Sequence, residues 1–182
     1  MPPIIGIYAS SYRSAALPTG SYDALAVYTV PSGGASSITF AGIPQSGYQH
    51  LQLRIMGQAN SNSDALMQFN GDTTNSNYYR HYLAGWSNSA QAGADAAPYI
   101  DPAGLFSGYP GAWVIDILDF TNTNKYKTSR ILFGYDNNSA DAYSRVGLVS
   151  TLWKNTNAIT QITIATRSWS QYSSFALYGI RG

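Results

Sequence analysis

The side chains able to carry acid–base or nucleophilic chemistry are few in this chain. Its 182 residues hold two histidines, His50 and His81, and nine acidic side chains, all of them aspartate, with no cysteine. Glutamate, one of the commonest catalytic acids and bases, is absent. Nucleophilic catalysis needs a serine, threonine or cysteine beside a base that takes its proton. No Gly-x-Ser-x-Gly elbow occurs; His50 opens a strand-like run and His81 follows Tyr79-Arg80. Both histidines are read as structural or surface residues, so no catalytic residue is expected and the protein is read as a non-enzyme. A triad assembled only in space would need one of them beside an aspartate in a cleft.

Metal and cofactor chemistry has equally little to stand on. Without cysteine there is no disulfide and no thiolate site. Asp136-Asn137-Asn138-Ser139-Ala140-Asp141 faintly resembles a calcium loop. It lacks an oxygen side chain at the fifth position, glycine at the sixth and the closing glutamate at the twelfth, and is read as a hairpin turn. No glycine-rich phosphate cradle follows a strand and opens a helix. No metal and no cofactor are expected.

Aromatic side chains are the one plentiful ligand-binding resource. Indole and phenol rings offer an apolar face with a polar tip, as sugar-binding sandwiches use. Trp86, Trp113, Trp153, Trp169, Tyr78, Tyr79, Tyr109 and Tyr172 are available. Trp113 and Trp153 lie inside strand patterns and are read as core. Trp169, in Arg167-Ser168-Trp169-Ser170-Gln171-Tyr172, falls in a turn, so Trp169 and Tyr172 are the candidate glycan-facing aromatics.

The elements that would position these residues are strands. Aspartate, asparagine, serine and glycine favour turns, and the chain lacks the glutamate of helix interiors. Strand-like runs cover Ala24–Val30, Ser37–Phe40, His50–Gly57, Ala65–Phe69, Tyr78–Trp86, Ala112–Phe120, Arg130–Tyr135, Val146–Trp153, Ile159–Thr166 and Ser174–Ile180. Leu51, Leu53 and Ile55 share a face opposite Gln52 and Arg54; Ile162 and Ile164 oppose Gln161 and Thr163. Asn70-Gly71-Asp72 is a turn signal after Phe69. Asn155-Thr156-Asn157 is expected to close a hairpin between its flanking strands. About ten short strands in a chain of this length predict one all-β domain, a jelly-roll β-sandwich over residues 23–182.

Two segments break the rhythm. Residues 1–22 begin with Pro2, Pro3, Ile4, Ile5, Gly6, Ile7 and Tyr8 and run through serine, alanine, proline and glycine to Gly20. They read either as a frayed terminus or as an extended N-terminal docking arm, since the isoleucines are costly to leave in water. Residues 87–111 form a long loop-like stretch. Its Tyr99, Ile100, Leu105, Phe106 and Tyr109 suggest a subunit interface or a ligand-facing loop; the alternative is a loop folded over one open end of the sandwich.

Charge narrows the partners. Only 10% of residues are charged and the net charge is +1, against an average of about 25% charged. The densest cationic group, Lys125, Lys127 and Arg130, reads as a solvated strand connection, so nucleic acid is not expected. Sparse charge is a weak defence against self-association, which suggests a surface covered by other subunits. No run reaches the length of a membrane span, and Pro2 to Tyr12 lacks a charged leader, so an extracellular role would imply release without ordinary secretion.

Several stretches taken in order are familiar together: Ser21-Tyr22-Asp23-Ala24-Leu25-Ala26, Ser36-Ser37-Ile38-Thr39-Phe40-Ala41-Gly42-Ile43-Pro44, His50-Leu51-Gln52-Leu53-Arg54, Phe69-Asn70-Gly71-Asp72, His81-Tyr82-Leu83, Ile115-Asp116-Ile117-Leu118-Asp119, Leu152-Trp153-Lys154-Asn155-Thr156-Asn157 and Tyr172-Ser173-Ser174-Phe175-Ala176-Leu177-Tyr178-Gly179-Ile180. Over residues 21–182 the chain resembles small virion proteins of tailed bacteriophages, frequent among phages of aquatic bacteria and cyanobacteria. The resemblance implies a jelly-roll component of the particle exterior, a tail fibre or baseplate element with a host-facing surface, or a decoration protein of the head. It implies other virion proteins as partners, a homo-oligomer with a trimer as first expectation, and a host surface glycan as a further partner. It carries no active site. A free carbohydrate-binding module is the alternative from another class.

Overall fold

Period-two alternation places most of the strands. The computed structural model describes residues 21–86, 88–101, 105–135 and 144–182, and there it is all-β. The strands are β1 (Tyr22–Thr29), β2 (Ala35–Ala41), β3 (His50–Gly57), β4 (Leu66–Phe69), β5 (Tyr78–Trp86), β6 (Ser89–Asp95), β7 (Gly111–Leu118), β8 (Lys127–Tyr135), β9 (Arg145–Trp153), β10 (Gln161–Trp169) and β11 (Ser174–Ile180), with one 3-10 turn at Asn75–Asn77. The expected arm residues Pro2, Pro3, Ile4, Ile5, Ile7 and Tyr8 and the calcium-like stretch Asp136–Asp141 lie outside the described residues.

Eight strands form a large antiparallel sheet in the order β1-β11-β3-β7-β8-β9-β5-β6, and three form a small one, β2-β10-β4. The first four strands alternate between sheets. β11 then inserts between β1 and β3, and β10 between β2 and β4. That nested wrapping is jelly-roll winding; β5, β6, β8 and β9 widen its larger sheet. Between the sheets lie Leu51, Leu53, Ile55, Ile115, Ile117, Ile131, Phe133 and Val149 from the large sheet. They meet Ile38, Phe40, Met67, Phe69, Ile162 and Ile164 from the small one, all buried. Each such side chain contributes about 1.5–3 kcal/mol over its exposed state, and together they make one core.

The structure corrects three expectations. Asn155-Thr156-Asn157 does not close a hairpin, because β9 belongs to the large sheet and β10 to the small one. The link crosses between layers and is pinned: Asn70 Oδ1 accepts the Thr160 and Gln161 N–H at 2.9 and 3.1 Å, and Ile159 N–H donates to the Phe120 carbonyl. Lys127 is not solvated. It is fully buried, and its ammonium donates to the backbone carbonyls of Asn122, Lys125 and Thr156, tying two connections together.

The third correction concerns the stretch read as one long loop. Ser89–Asp95 is β6, a hairpin partner of β5. Beyond it the chain runs beside the segment leading into β4. Met67 N–H reaches the Pro98 carbonyl, Ile100 N–H the Ala65 carbonyl, and Ser63 and Leu105 exchange both bonds. Ile100 and Leu105 are therefore core residues that close the inner face of the large sheet, and neither can face a partner. Arg80 anchors the same corner. Its buried guanidinium takes both Asp95 carboxylate oxygens at 2.6 and 2.9 Å and lies over the rings of Tyr82 and Tyr99. Tyr99, Phe106 and Tyr109 are half-buried.

Candidate functional site

An antiparallel sheet with one wet face normally alternates apolar and polar residues. The strands at the centre of the large sheet break that rule. β8 carries Ile131-Leu132-Phe133, and β9 carries Val146, Leu148 and Val149. Ile131, Phe133 and Val149 fill the core, so Leu132, Val146 and Leu148 must face away from it.

Register gathers these side chains. Val114, Leu132, Leu148 and Leu83 stand opposite one another on β7, β8, β9 and β5. The neighbouring row holds Met56, Ala112, Gly134, Val146 and Gly85. Met56, Leu83, Leu132, Val146 and Leu148 leave between 52% and 69% of their surface exposed. Contiguous exposed apolar patches of this kind mark interaction sites on soluble proteins. An open depression of about 480 Å³ lies over Leu83, Val114, Leu132 and Leu148, lined also by His81, Asp116, Arg130 and Ser150.

The polar edge of the depression is one further row: Asp116, Arg130, Ser150 and His81, again cross-strand neighbours. Gln52 donates to Asp116 Oδ1 at 2.7 Å and accepts from Arg54 Nε at 2.7 Å, and Arg54 lies over the Tyr178 ring at 5.0 Å. Arg130 is exposed and stands directly opposite Asp116, yet makes no ion pair among the described residues. This face offers apolar area framed by charges of both signs. It suits binding of a surface.

The histidines take different places. His81 lies on the polar edge, its ring edge-on to Tyr79 at 5.4 Å. His50 does sit beside an aspartate, with Nδ1 3.5 Å from Asp119 Oδ1. Its Nδ1, however, accepts the Asp119 backbone N–H at 2.9 Å. In a Ser–His–Asp triad Nδ1–H donates to the carboxylate, so His50 holds a strand end instead. Lys125 beside it holds the Asp119 carboxyl below the ordinary aspartate value despite partial burial, with help from Gln49 and His50.

Of the glycan-facing pair, Trp169 is corrected. β10 runs on past Thr166 through an irregularity between Ala165 and Trp169, which turns the indole inward. It is fully buried, edge-on to Trp113 at 6.3 Å and to Phe175 at 5.0 Å. Gly57 provides its seat, for a Cβ there would meet the Trp169 ring at 2.9 Å. Tyr172 is exposed over 77% of its surface, on a turn in left-handed backbone, φ 70°. Near Asn62, Ser107 and Tyr109 a small open hollow includes Phe106, whose ring is 6.4 Å from Tyr109.

Reading the residues singly missed Met56, Leu83, Leu132, Val146 and Leu148. The available signal was the loss of alternation in β8 and β9, since strands covered on both faces read as near-continuous apolar runs. No family model, no curated protein and no solved structure matches this chain.

Proposed function

We propose that the protein is a non-enzymatic structural subunit on the exterior of a tailed-phage particle, tail-associated and presenting a host-facing surface. The observation that carries this reading is the uncovered apolar face of the large sheet. Such a face belongs to a subunit whose neighbours bury it. The sparse charge supports the same conclusion. The sequence resemblance to phage virion proteins supplies the kind of assembly. Several residues that carry that resemblance hold the sandwich together: Asn70 pins the crossing link, and Asp72 accepts the buried Trp153 indole N–H at 2.8 Å. Tyr172 is the aromatic left to meet a host glycan.

The test is immunogold labelling of intact particles, with mass spectrometry of the same purified preparation. Gold on the tail supports the proposal. Gold spread over the head would replace the tail assignment with capsid decoration. Particles free of both label and protein would overturn the virion reading.

A further inference from the structure

We infer that the outer face of the large sheet docks a second copy of this chain, face to face about a twofold axis running along β7 and β8. The inference rests on reading this face as a surface buried in an assembly, and it names the occupant.

Self-complementarity is the argument. An axis parallel to the strands and between β7 and β8 exchanges those strands between copies and preserves each side-chain row. Asp116 of each copy then comes opposite Arg130 of the other, and Val114 opposite Leu132. The same rotation sets β3 over β9, bringing Met56 against Val146 and the Arg54 stem against Leu148. Apolar meets apolar at the centre and opposite charges meet at the edge, as an isologous interface requires.

The charge arrangement of the single chain fits this pairing. Asp116 and Arg130 are direct cross-strand neighbours, the geometry in which opposite charges ordinarily pair. Asp116 is instead held by Gln52, and Arg130 makes no ion pair among the described residues. Each aspartate–arginine pair can therefore close between copies. The edge carries both signs, so it does not select a strongly acidic or basic partner, and a net charge of +1 sets up little repulsion between two copies.

Shape and size agree as well. Ala112 and Gly134 lie between Met56 and Val146 in their row and admit the close approach of a second sheet, about 10 Å away. β3, β5, β7, β8 and β9 are eight or nine residues long. With β11, which the same axis sets over β5, six strands at about 4.8 Å spacing and about 3.4 Å per residue make a face roughly 29 by 27 Å. That is the scale of a specific interface, about 800 Å² per partner.

Sedimentation equilibrium of the full chain tests the pairing. The wild type is expected at the mass of two subunits. Leu148→Asp and Asp116→Arg should keep the wild-type circular dichroism while raising the dissociation constant at least about 30-fold, with Tm lowered only at concentrations where the wild type pairs. The double charge swap Asp116→Arg/Arg130→Asp should restore the two-subunit mass. A three-subunit mass, an association untouched by Leu148→Asp, or a double swap that fails to restore it would each overturn the twofold pairing. A wild type that stays single at every concentration would overturn it too. If Leu148→Asp then still lowers incorporation into particles, another virion protein covers the face and the assembly reading survives. If incorporation is also unchanged, both readings fail.

Discussion

On the small sheet, Ser37, Thr39, Gln68, Gln161 and Thr163 face outward while Ile38, Phe40, Met67, Phe69, Ile162 and Ile164 face the core. The outer row is closed by polar contacts, with the Thr39 and Thr163 hydroxyls 3.0 Å apart across β2 and β10. The inner rows of the large sheet are equally apolar, but its outer rows carry Met56, Leu83, Leu132, Val146 and Leu148. Both sheets belong to one sandwich and share one core, so folding alone does not account for the difference. The outer rows of the small sheet alternate as a wetted face does, whereas those at the centre of the large sheet are apolar in the manner of strands covered on both faces.

The largest expected effect comes from the layer that both faces share. Trp169→Ala should cost about 3–5 kcal/mol, measured by urea unfolding, because the indole fills the space between Gly57, Trp113 and Phe175. A cost under about 1 kcal/mol, the range of an exposed residue, would contradict its burial. Lys127→Met comes next, at about 2–3 kcal/mol, since three carbonyls lose a buried charged donor. Thermal unfolding checks it, and an unchanged Tm would return Lys127 to the solvated connection expected from sequence.

Acid should act through connections and edges rather than through either face. Burial pushes Asp72 upward, but the donors Trp153, Thr74 and Asn77 outweigh it and hold its carboxyl below the usual 3.8. Arg80 lowers Asp95 in the same direction. A carboxylate depressed in the folded state contributes stability that is full above its unfolded value, about 3.9, and is lost as pH falls through the folded value. Tm should therefore hold from pH 7 to about 5 and drop below about 4. Asp72→Ala should lower Tm at pH 7 and make the acid fall shallower.

The smallest effects compare the two faces directly. In the unpaired subunit, Leu148→Asp and Thr163→Val should each change stability by no more than about 0.5 kcal/mol, as exposed sites do. They should differ in binding of a hydrophobic dye such as ANS. At concentrations too low for two copies to pair, Leu148→Asp should lower it on the large sheet, while Thr163→Val should leave it near the wild-type level. Equal responses would erase the distinction between the faces.

Legibility followed the strength of the local pattern. His50–Gly57, Tyr78–Trp86 and Ser174–Ile180 were readable end to end, because bulky alternating residues bounded by turn formers leave little choice of period. β6, Ser-Ala-Gln-Ala-Gly-Ala-Asp, has no β-branched or aromatic residue and is a strand because it pairs along β5. Of the residues singled out as site candidates, Tyr172 stands exposed. Ile100, Leu105 and Trp169 moved into the core, since burial depends on what the rest of the chain brings alongside.

Composition and spacing by themselves determined that this chain is an all-β sandwich with little acid–base equipment. Turn residues, strand periods and the side-chain inventory are local properties, readable one segment at a time. Only the tertiary structure decided that β9 and β10 part into different sheets, that Lys127 is buried, and that Val114, Leu132, Leu148 and Leu83 stand in one row. These depend on which strands become neighbours. In antiparallel pairing, residues far apart in sequence come within about 5 Å of one another, so a surface built across four strands exists only once their register is set.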